Sequence, residues 1–320
     1  MNYRSFYDLN RTIASNIYKI PSDIDLIMAF TREGLIVANI LALHLHIPIT
    51  DYQYLKKGKF ITPGRRISKM KPNIERCKNI LIVHDTIKNS KNNRKIIDEI
   101  NKKYRNKNII SASVYADEES LDKNDINLEI CPAPHIFQWN IFNHSGMANF
   151  CVDIDGVLCY DPLPLDNDDG ERYLKFIENA PPLVRIQNKI GCLVTNRLEK
   201  YRTPTEKWLK KNGIVYGELI MQNLPNQQAR REAKNYGSFK GMIYKSRVKS
   251  DLFIESSFKQ AREIADISGK VVYCVDKRIM IYPNQYYPEQ NDKKKYIVRK
   301  WKRQKKRTRR YLKKLSNYFW

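Results

Sequence analysis

The sequence predicts an α/β protein with two parallel-sheet, Rossmann-like domains and a basic amphipathic C-terminal helix. Short apolar runs typical of buried strands alternate with segments of helical apolar spacing. The chain has 320 residues, more than one typical domain. Its net charge of +24 is concentrated at one end, since residues 293–320 contain fourteen Lys or Arg and no Asp or Glu. We therefore expect domains over 1–132 and 149–290, a linker over 133–148 and a tail over 291–320.

Composition argues against a membrane-spanning or secreted protein. The chain contains no apolar run of about 18 residues, which is what a transmembrane helix needs. The segment Met1–Ser5 is not followed by the apolar stretch of a secretory signal. The cysteines lack the paired spacing of zinc sites and often lie in apolar runs, which favours a reducing cytoplasm. They are Cys77, Cys131, Cys151, Cys159, Cys192 and Cys274.

The first domain begins with a strand, a loop and a helix. Residues 25–30 form an apolar run that indicates a buried strand, and Leu35–Leu45 has helical apolar spacing. Between them Thr31, Arg32, Glu33 and Gly34 are expected to form a tight loop. Residues 46–49 then begin the next strand.

A second unit of the same kind follows. Residues 79–83 are predicted to be a strand, 84–92 a loop, 93–104 a helix and 109–115 a third strand. In both units the loop precedes a helix, whose N-terminal backbone N–H groups can hold a phosphate. The alternation indicates a parallel sheet with its function at the carboxyl ends of the strands. The simpler interpretation is a scaffold whose loops only connect elements.

The two loops together resemble those of type I phosphoribosyltransferases. By that resemblance the loop from Thr31 to Gly34 would hold pyrophosphate, and Leu81–Asn92 would be the phosphoribosyl-pyrophosphate motif. Asp85 would be the second, catalytic acid of the motif, whereas His84 replaces the usual first acid. The expected phosphate cradle comprises Thr86, Asn89, Ser90 and Asn92, with Ser90 at a position where glycine is common.

The second domain begins with two aspartates, Asp153 and Asp155, directly after an apolar run. Residues two apart in a strand point to the same side, so both carboxylates can face one small volume where the strand ends. One can attack a phosphorus atom while the other transfers a proton. The alternative is an acidic turn with no chemical role.

Three later features strengthen the first interpretation. Residues 191–194 form an apolar strand that ends at Thr195, Asn196 and Arg197, followed by a helix with a capping signal at 203–206. Residues 252–254 form another strand ending at Glu255, before a helix over 258–267. The cations available to neutralise a phosphoryl group are Lys240, Lys245, Arg247 and Lys249.

This order resembles the haloacid dehalogenase-like phosphatases from about residue 150 to residue 282. By that resemblance Asp153 would be the nucleophile that forms an aspartyl-phosphate, and Asp155 the general acid and base. Thr195, Asn196 and Lys240 would hold the substrate phosphate, with Lys245 as the alternative lysine. Mg²⁺ would be bound by Asp153, Glu255 and the backbone carbonyl of Asp155. Glu255 replaces the usual Asp, unless Asp251 assists, and the short spacing from Asp155 to Thr195 leaves room for a minimal cap only.

The tail alternates basic clusters with aromatic and apolar residues. Its apolar side chains fall roughly on one helical face: Trp301, Leu312, Leu315 and Phe319. A basic helix with aromatic anchors suits an anionic membrane surface, which we favour, but it also suits RNA or DNA. A solvated tail with no partner is the third possibility.

Together the parts resemble two-domain phosphoribosyltransferase–phosphatase proteins of bacterial polysaccharide pathways, a likeness that includes the run from Pro134 to Asn140. The resemblance implies a cytoplasmic ribofuranosyltransferase, peripheral at the inner face of the membrane. It would transfer 5-phosphoribosyl from phosphoribosyl pyrophosphate to a lipid-linked glycan acceptor of O-antigen or capsule biosynthesis, and then remove the 5-phosphate with Mg²⁺. The alternatives are base salvage with a coupled phosphatase, and a non-catalytic sensor of phosphoribosyl pyrophosphate or RNA-binding protein.

Overall fold

A computed structural model describes residues 1–62, 74–87 and 91–287, with only the backbone described for 91–94. The strands in these ranges are β1 (Asn2–Arg4), β2 (Leu26–Ala29), β3 (Ile49–Asp51), β4 (Asn79–Ile87), β5 (Asn108–Ala116), β6 (Ile126–Ile130), β7 (His135–Phe137), β8 (Phe150–Val152), β9 (Ile190–Leu198), β10 (Tyr216–Gln222), β11 (Leu252–Glu255), β12 (Val272–Cys274) and β13 (Ile279–Ile281). The α-helices are α1 (Phe6–Asn16), α2 (Arg32–Leu45), α3 (Tyr52–Lys56), α4 (Lys91–Lys103), α5 (Glu171–Asn179), α6 (Arg202–Lys211), α7 (Gln227–Ala233), α8 (Tyr236–Ser246) and α9 (Phe258–Ser268). The prediction of an α/β protein with parallel sheets is confirmed.

The N-terminal half contains a five-stranded parallel sheet in the order β3-β2-β4-β5-β6. Successive residues of a strand face opposite sides, and both sides of this sheet are buried. Ile27 and Ala29 pack toward Val37 and Leu41 of α2 in one core, whereas Met28 packs in a second core on the other side. The carboxyl end of β2 therefore lies beside Val83 of β4, and the first turn of α2 packs against it.

The C-terminal half contains a six-stranded sheet in the order β10-β9-β8-β11-β12-β13. All neighbouring pairs are parallel except the last, β12 with β13. Helices α8 and α9 cover one side, where Tyr244 and Ile264 are buried against Phe253. Strand β8 lies between β9 and β11, so the ends of these three strands share one edge of the sheet.

The two halves are joined by a parallel pair of strands, β1 and β7. Alternate residues of this pair enter different cores: Ile136 belongs to a core of the C-terminal half and Phe137 to one of the N-terminal half. Tyr3 likewise contacts Tyr273 of β12 at a ring-centroid distance of 5.4 Å, whereas Arg4 pairs with Glu129 of β6 at 2.6 Å. The stretch expected to be a linker, 133–148, thus contains a buried strand that belongs to both halves.

Two predicted boundaries in the N-terminal half were wrong. The expected tight loop from Thr31 to Gly34 is the start of α2, because the Thr31 side chain accepts a hydrogen bond from the Gly34 backbone N–H at 3.0 Å and caps the helix. Strand β4 continues past residue 83 to Ile87, since it remains paired with β5 as far as Ala116. His84, Asp85 and Thr86 are therefore strand residues.

Similar shifts occur in the C-terminal half. Strand β9 extends through Leu198 and includes Thr195, because pairing with β10 resumes at Leu198 after an irregularity. Helix α6 begins at Arg202, so the expected capping segment 203–206 lies inside its first turn and provides no side-chain cap.

The six cysteines are buried and free. Within the described ranges, no helix is both long enough and apolar enough to cross a membrane. The basic tail predicted over 291–320 lies outside the described residues.

Candidate active sites

The first candidate site lies at the carboxyl edge of the C-terminal sheet. Asp153 follows β8 directly, and its backbone N–H donates to Ile254 O of β11 at 3.0 Å, which holds it beside Glu255. Thr195 lies on β9, on the other side of β8. The side chains of Asp153, Thr195 and Glu255 are buried, with 4%, 1% and 0% exposed. The topology thus assembles three of the predicted residues at one place.

Lys240 bridges the two buried carboxylates. Its Nζ donates to Asp153 Oδ2 and to Glu255 Oε2, both at 2.6 Å, and to Gln260 Oε1 at 3.1 Å. The lysine lies on α8 and is 1% exposed, whereas Lys245 of the same helix is exposed. Of the two lysines considered from sequence, Lys240 is the one at the site.

Burial and ion pairing act in opposite directions on these groups. Burial raises the pKa of Asp153 well above its usual range, the Lys240 ammonium opposes that rise, and the Glu255 carboxylate adds to it. Burial alone would lower the pKa of Lys240, but Asp153 and Glu255 outweigh it and raise that pKa. The Lys240 ammonium is therefore the group that favours the ionised form of Asp153 against the effect of burial.

Asp155 is held by an arginine that the sequence analysis gave no role. Arg197 is fully buried, and its Nη2 donates to Asp155 Oδ1 at 2.6 Å while its Nε lies 3.1 Å from Oδ2. The Asp155 side chain itself is 18% exposed. A planar guanidinium that contacts both oxygens fixes the orientation of a carboxylate. The Asp155 carboxylate is thus fixed in orientation and partly accessible to solvent.

Asn196 connects the site to a group of amides. Its Nδ2 donates to Gln260 Oε1 at 3.0 Å, and its Oδ1 accepts from Gln222 Nε2 at 3.0 Å. Gln260 also accepts from Lys240, so Asn196 is linked through one amide to the lysine. These hydrogen bonds fix the positions of the amide side chains beside Thr195.

The donors around Asp153 fit Mg²⁺ in chemical kind. Mg²⁺ prefers oxygen ligands and often uses only one or two carboxylates; Asp153, Glu255 and the carbonyl of Asp155 supply such oxygens. The backbone turns sharply at Gly156, with φ +75°, and an added Cβ there would lie 2.5 Å from Ser256 Oγ and 2.8 Å from Asp161 Oδ2, so the position requires glycine. Within the described ranges, no three His, Cys, Asp or Glu side chains are grouped so that they could hold a metal. The magnesium site of Asp153, Asp155 and Glu255 remains a prediction.

The second candidate site lies where β2 ends beside β4. Ala29 pairs with Val83, so Thr31 and Asp85, each two residues further on, lie at the same edge of the sheet. An added Cβ at Gly34 would be 2.9 Å from Val83 O, so the start of α2 packs against β4 only with glycine at this position. Arg32 extends into solvent and pairs with Glu33 at 2.5 Å.

Asp85 is hydrogen-bonded within the protein through both oxygens. Oδ1 accepts from the Thr86 backbone N–H at 2.7 Å, and Oδ2 accepts from Trp139 Nε1 at 3.1 Å. Burial raises the pKa of this carboxyl group, the two hydrogen bonds lower it, and the charge of Glu33 raises it further. Trp139, just after β7, stacks on Phe137 at 4.7 Å. Asp85 is thus positioned by the segment that joins the halves.

His84 differs from Asp85 in charge and surroundings. It is 1% exposed and lies 5.4 Å from the Phe30 ring, and its Nε2 has no hydrogen-bond partner in the described ranges. Burial lowers the pKa of His84 to about 4, so the ring is neutral near pH 7. The position expected to carry an acid therefore carries an uncharged ring.

The rest of the predicted phosphate cradle is only partly described. Thr86 is half-buried on β4, and the α4 backbone begins before Asn92. Asn89, Ser90 and the side chain of Asn92 lie outside the described residues. The roles predicted for the residues of both sites remain predictions.

Sequence reasoning missed several residues that contact these sites. Arg197 had a detectable signal, because it stands two residues after Thr195 and so on the same side of a strand. Gln260 and Trp139 had none, since neither the spacing nor the residue type places them beside Lys240 or Asp85. Both contacts depend on how distant segments fold together.

No protein-family model matches the chain, and no curated protein matches it. Among solved structures, the xanthine-guanine-hypoxanthine phosphoribosyltransferase of Helicobacter pylori is similar over 44% of this chain and 92% of its own, with 16% identity and a TM-score of 0.33. A purine phosphoribosyltransferase from Pyrococcus horikoshii covers 43% of this chain and 92% of its own, at 23% identity and a TM-score of 0.32. A hypothetical Neisseria gonorrhoeae protein with bound ppGpp covers 43% and 89%, at 17% identity and a TM-score of 0.30. These neighbours correspond to the N-terminal part of the chain, and at such low TM-scores they carry no argument about its function.

Proposed function

We propose that the chain is a bifunctional ribofuranosyltransferase. The N-terminal half would transfer 5-phosphoribosyl from phosphoribosyl pyrophosphate to a glycan acceptor, and the C-terminal half would hydrolyse the 5-phosphate. The observation that supports this best is the buried group of Asp153, Lys240 and Glu255, with Asp155 positioned by Arg197. A buried carboxylate paired with one ammonium, beside a second and accessible carboxylate, suits a nucleophile and its acid–base partner.

In the proposed phosphatase reaction, Asp153 Oδ attacks the phosphorus atom, forming an Asp–O–P bond while the P–O bond to the ribosyl C5 oxygen breaks. Asp155 donates its proton to that departing oxygen. It then takes a proton from water, whose oxygen attacks the phosphorus and releases inorganic phosphate and the Asp153 carboxylate. Lys240 neutralises negative charge beside the phosphoryl group throughout. Mg²⁺, when bound by Asp153 and Glu255, would supply additional screening of the phosphoryl oxygens.

The proposed transferase reaction uses the place where β2 ends beside β4. The N-terminus of α2, a helix of 14 residues, offers backbone N–H groups to an anion. Asp85 lies at the same edge and could accept hydrogen bonds from sugar hydroxyl groups. Removing the 5-phosphate afterwards would make the addition irreversible, which is a chemical reason to have both sites in one chain.

The direct test incubates the protein with phosphoribosyl pyrophosphate, Mg²⁺ and a lipid-linked or synthetic glycan acceptor, and follows products by mass spectrometry. Wild type should yield a ribosyl product without phosphate, Asp153→Asn should stop at the 5-phosphorylated product, and Asp85→Asn should form neither. Asp251 is exposed and precedes β11, at the opposite end of that strand from Glu255, so it does not assist Glu255 as the sequence allowed. Asp251→Asn is therefore the matched control and should behave as wild type. Unphosphorylated product from Asp153→Asn would show that Asp153 is not the nucleophile.

A second candidate is a protein that binds phosphoribosyl pyrophosphate without transferring it. It is favoured by the neutral, buried His84 and by the internal hydrogen bonds of both Asp85 oxygens. Calorimetry that shows donor binding, with no product from glycan or free base acceptors, would select this candidate. Turnover with free purines, pyrimidines or orotate would instead indicate salvage.

Membrane association of the tail rests on its sequence alone. Deleting residues 293–320 should abolish binding to vesicles that contain anionic lipid while leaving the hydrolysis of a soluble phosphate ester intact. Loss of RNA binding in place of vesicle binding would support the nucleic-acid alternative.

A further inference from the structure

Arg230 on α7 is a nearly buried cation without a carboxylate partner. The residue is 8% exposed; its Nη1 donates to Asn196 O at 3.0 Å, and its Nη2 lies 3.4 Å from Asn167 Oδ1. Its Nε is buried and has no hydrogen-bond partner within the described ranges. No Asp or Glu in those ranges lies within ion-pair distance of it, whereas Lys240 and Arg197 each have a carboxylate partner. Burying a charge without an opposite charge is costly, which points to a missing anion.

The position of Arg230 relates it to the phosphatase site. Its hydrogen bond to Asn196 places it beside the residue that follows Thr195. Tyr173 lies near the same groups and is hydrogen-bonded to Arg230: burial raises the pKa of Tyr173, Asp155 raises it further, and the charges of Arg197 and Arg230 and this hydrogen bond lower it. Asn196 directly precedes Arg197, which contacts Asp155, so its hydrogen bond to Arg230 places Arg230 near the Asp155–Arg197 pair.

A second buried group next to Asn196 also lacks a partner. Gln222 is 1% exposed and donates from Nε2 to Asn196 Oδ1 and to Asn235 Oδ1, both at 3.0 Å, but its Oε1 accepts no hydrogen bond within the described ranges. On the two sides of Asn196 there is therefore a cation without an anion and an acceptor without a donor. The anion missing at Arg230 is the partner that a ligand could supply, because Gln222 is closed off from solvent.

We propose that Arg230 binds an anionic group, a carboxylate or a second phosphate, on the alcohol part of the phosphate ester that the C-terminal site hydrolyses. This inference rests on the proposed phosphatase function and adds a substrate class to it: esters of acidic carbohydrates. The phosphoryl group itself already faces Lys240 and Thr195. A cation on the Asp155 side faces the departing alcohol, because Asp155 gives its proton to that oxygen.

The test uses two matched series of substrates that differ in one group. Glycerol 3-phosphate, erythritol 4-phosphate and ribitol 5-phosphate have a terminal hydroxymethyl group, whereas 3-phosphoglycerate, 4-phosphoerythronate and 5-phosphoribonate have a carboxylate in its place. The series varies the distance between phosphate and anion, and kcat and KM are measured from phosphate release by wild type, Arg230→Gln and Arg230→Lys. Arg231→Gln, an exposed arginine on the same helix, is the control.

We expect wild type to prefer at least one carboxylate ester over its matched alcohol. Arg230→Gln should lower kcat/KM for that ester by about 10- to 100-fold, mainly through KM, and change the matched alcohol little. Arg230→Lys should recover part of the kcat/KM that Arg230→Gln loses for the carboxylate ester. Arg231→Gln should keep the wild-type kcat/KM for that ester. Equal losses for both series, or no change in either, would overturn the inference while leaving the phosphatase intact. If wild type hydrolyses no ester, the proposed phosphatase function fails, and this inference with it.

Discussion

Both candidate sites lie toward the carboxyl ends of parallel strands, but the partners of their carboxylates differ in charge. In the C-terminal site the buried carboxylates of Asp153 and Glu255 share one ammonium, and Asp155 has a guanidinium of its own. In the N-terminal site Asp85 has neutral hydrogen-bond donors, and its neighbour His84 is uncharged near pH 7. The first site therefore contains cations that contact its carboxylates, whereas Asp85 has no cationic partner within ion-pair distance among the described residues. The N-terminal site also depends on Trp139, which comes from the segment that joins the two halves.

The largest effect that tests this comparison is expected at Lys240. Lys240→Met leaves two buried carboxylates without a cation, so we expect a loss of about 3–5 kcal/mol in the free energy of unfolding. Phosphate release by the protein that remains folded should fall by about 10²- to 10³-fold. Urea denaturation and a phosphate assay measure the two effects. Lys245→Met, on the exposed side of the same helix, should change stability by less than about 0.5 kcal/mol; equal effects of the two variants would contradict the ion-pair role.

The neutral state of His84 predicts a particular pH dependence of stability. The pKa of His84 is about 4 in the folded protein and about 6.5 in the unfolded chain, so both states are neutral above pH 6.5 and the group contributes no pH dependence there. As the pH falls from 6.5 to 4, the unfolded chain binds a proton that the folded protein does not, and stability decreases by about 3 kcal/mol. His84→Asn removes this contribution, so the stability of the variant should fall less than that of the wild type between pH 6.5 and 4. Urea denaturation between pH 7.5 and 4.5 checks this, and parallel curves for the two proteins would argue against a buried neutral His84.

A smaller effect should distinguish the sites through Trp139. Trp139→Phe keeps the stacking on Phe137 but removes the indole N–H that binds Asp85, so ribosyl transfer should fall by about tenfold. Hydrolysis of a soluble phosphate ester should stay at the wild-type rate. Trp208→Phe is the control, because it also removes a buried indole N–H, which donates to Ala180 O at 2.8 Å in the C-terminal half. This variant should leave ribosyl transfer unchanged. If both variants reduce transfer equally, Trp139 has no specific role in positioning Asp85.

The sequence was sufficient where local pattern decides structure. Apolar runs located the central strands of both sheets, and the rule that parallel strands end at one edge predicted that Asp153, Thr195 and Glu255 lie together. It was insufficient where an element continues through polar residues: His84 and Asp85 belong to β4 because the neighbouring β5 supplies hydrogen bonds up to Ala116, which the polar side chains do not reveal. Contacts such as Trp139 with Asp85 join residues 54 positions apart, and no spacing predicts them.

The shared pair of strands also constrains the order in which the protein can fold during synthesis. The partner of β1 is β7, which leaves the ribosome more than a hundred residues later, and Phe137 is part of the core beside α2. The N-terminal half therefore cannot complete its core, or give Asp85 its indole partner, until the segment 135–139 has emerged. A fragment that ends at residue 132 would expose that unfinished core and the unpaired edge of β1, both of which promote aggregation. Fragments intended to isolate the N-terminal half should therefore extend beyond residue 139.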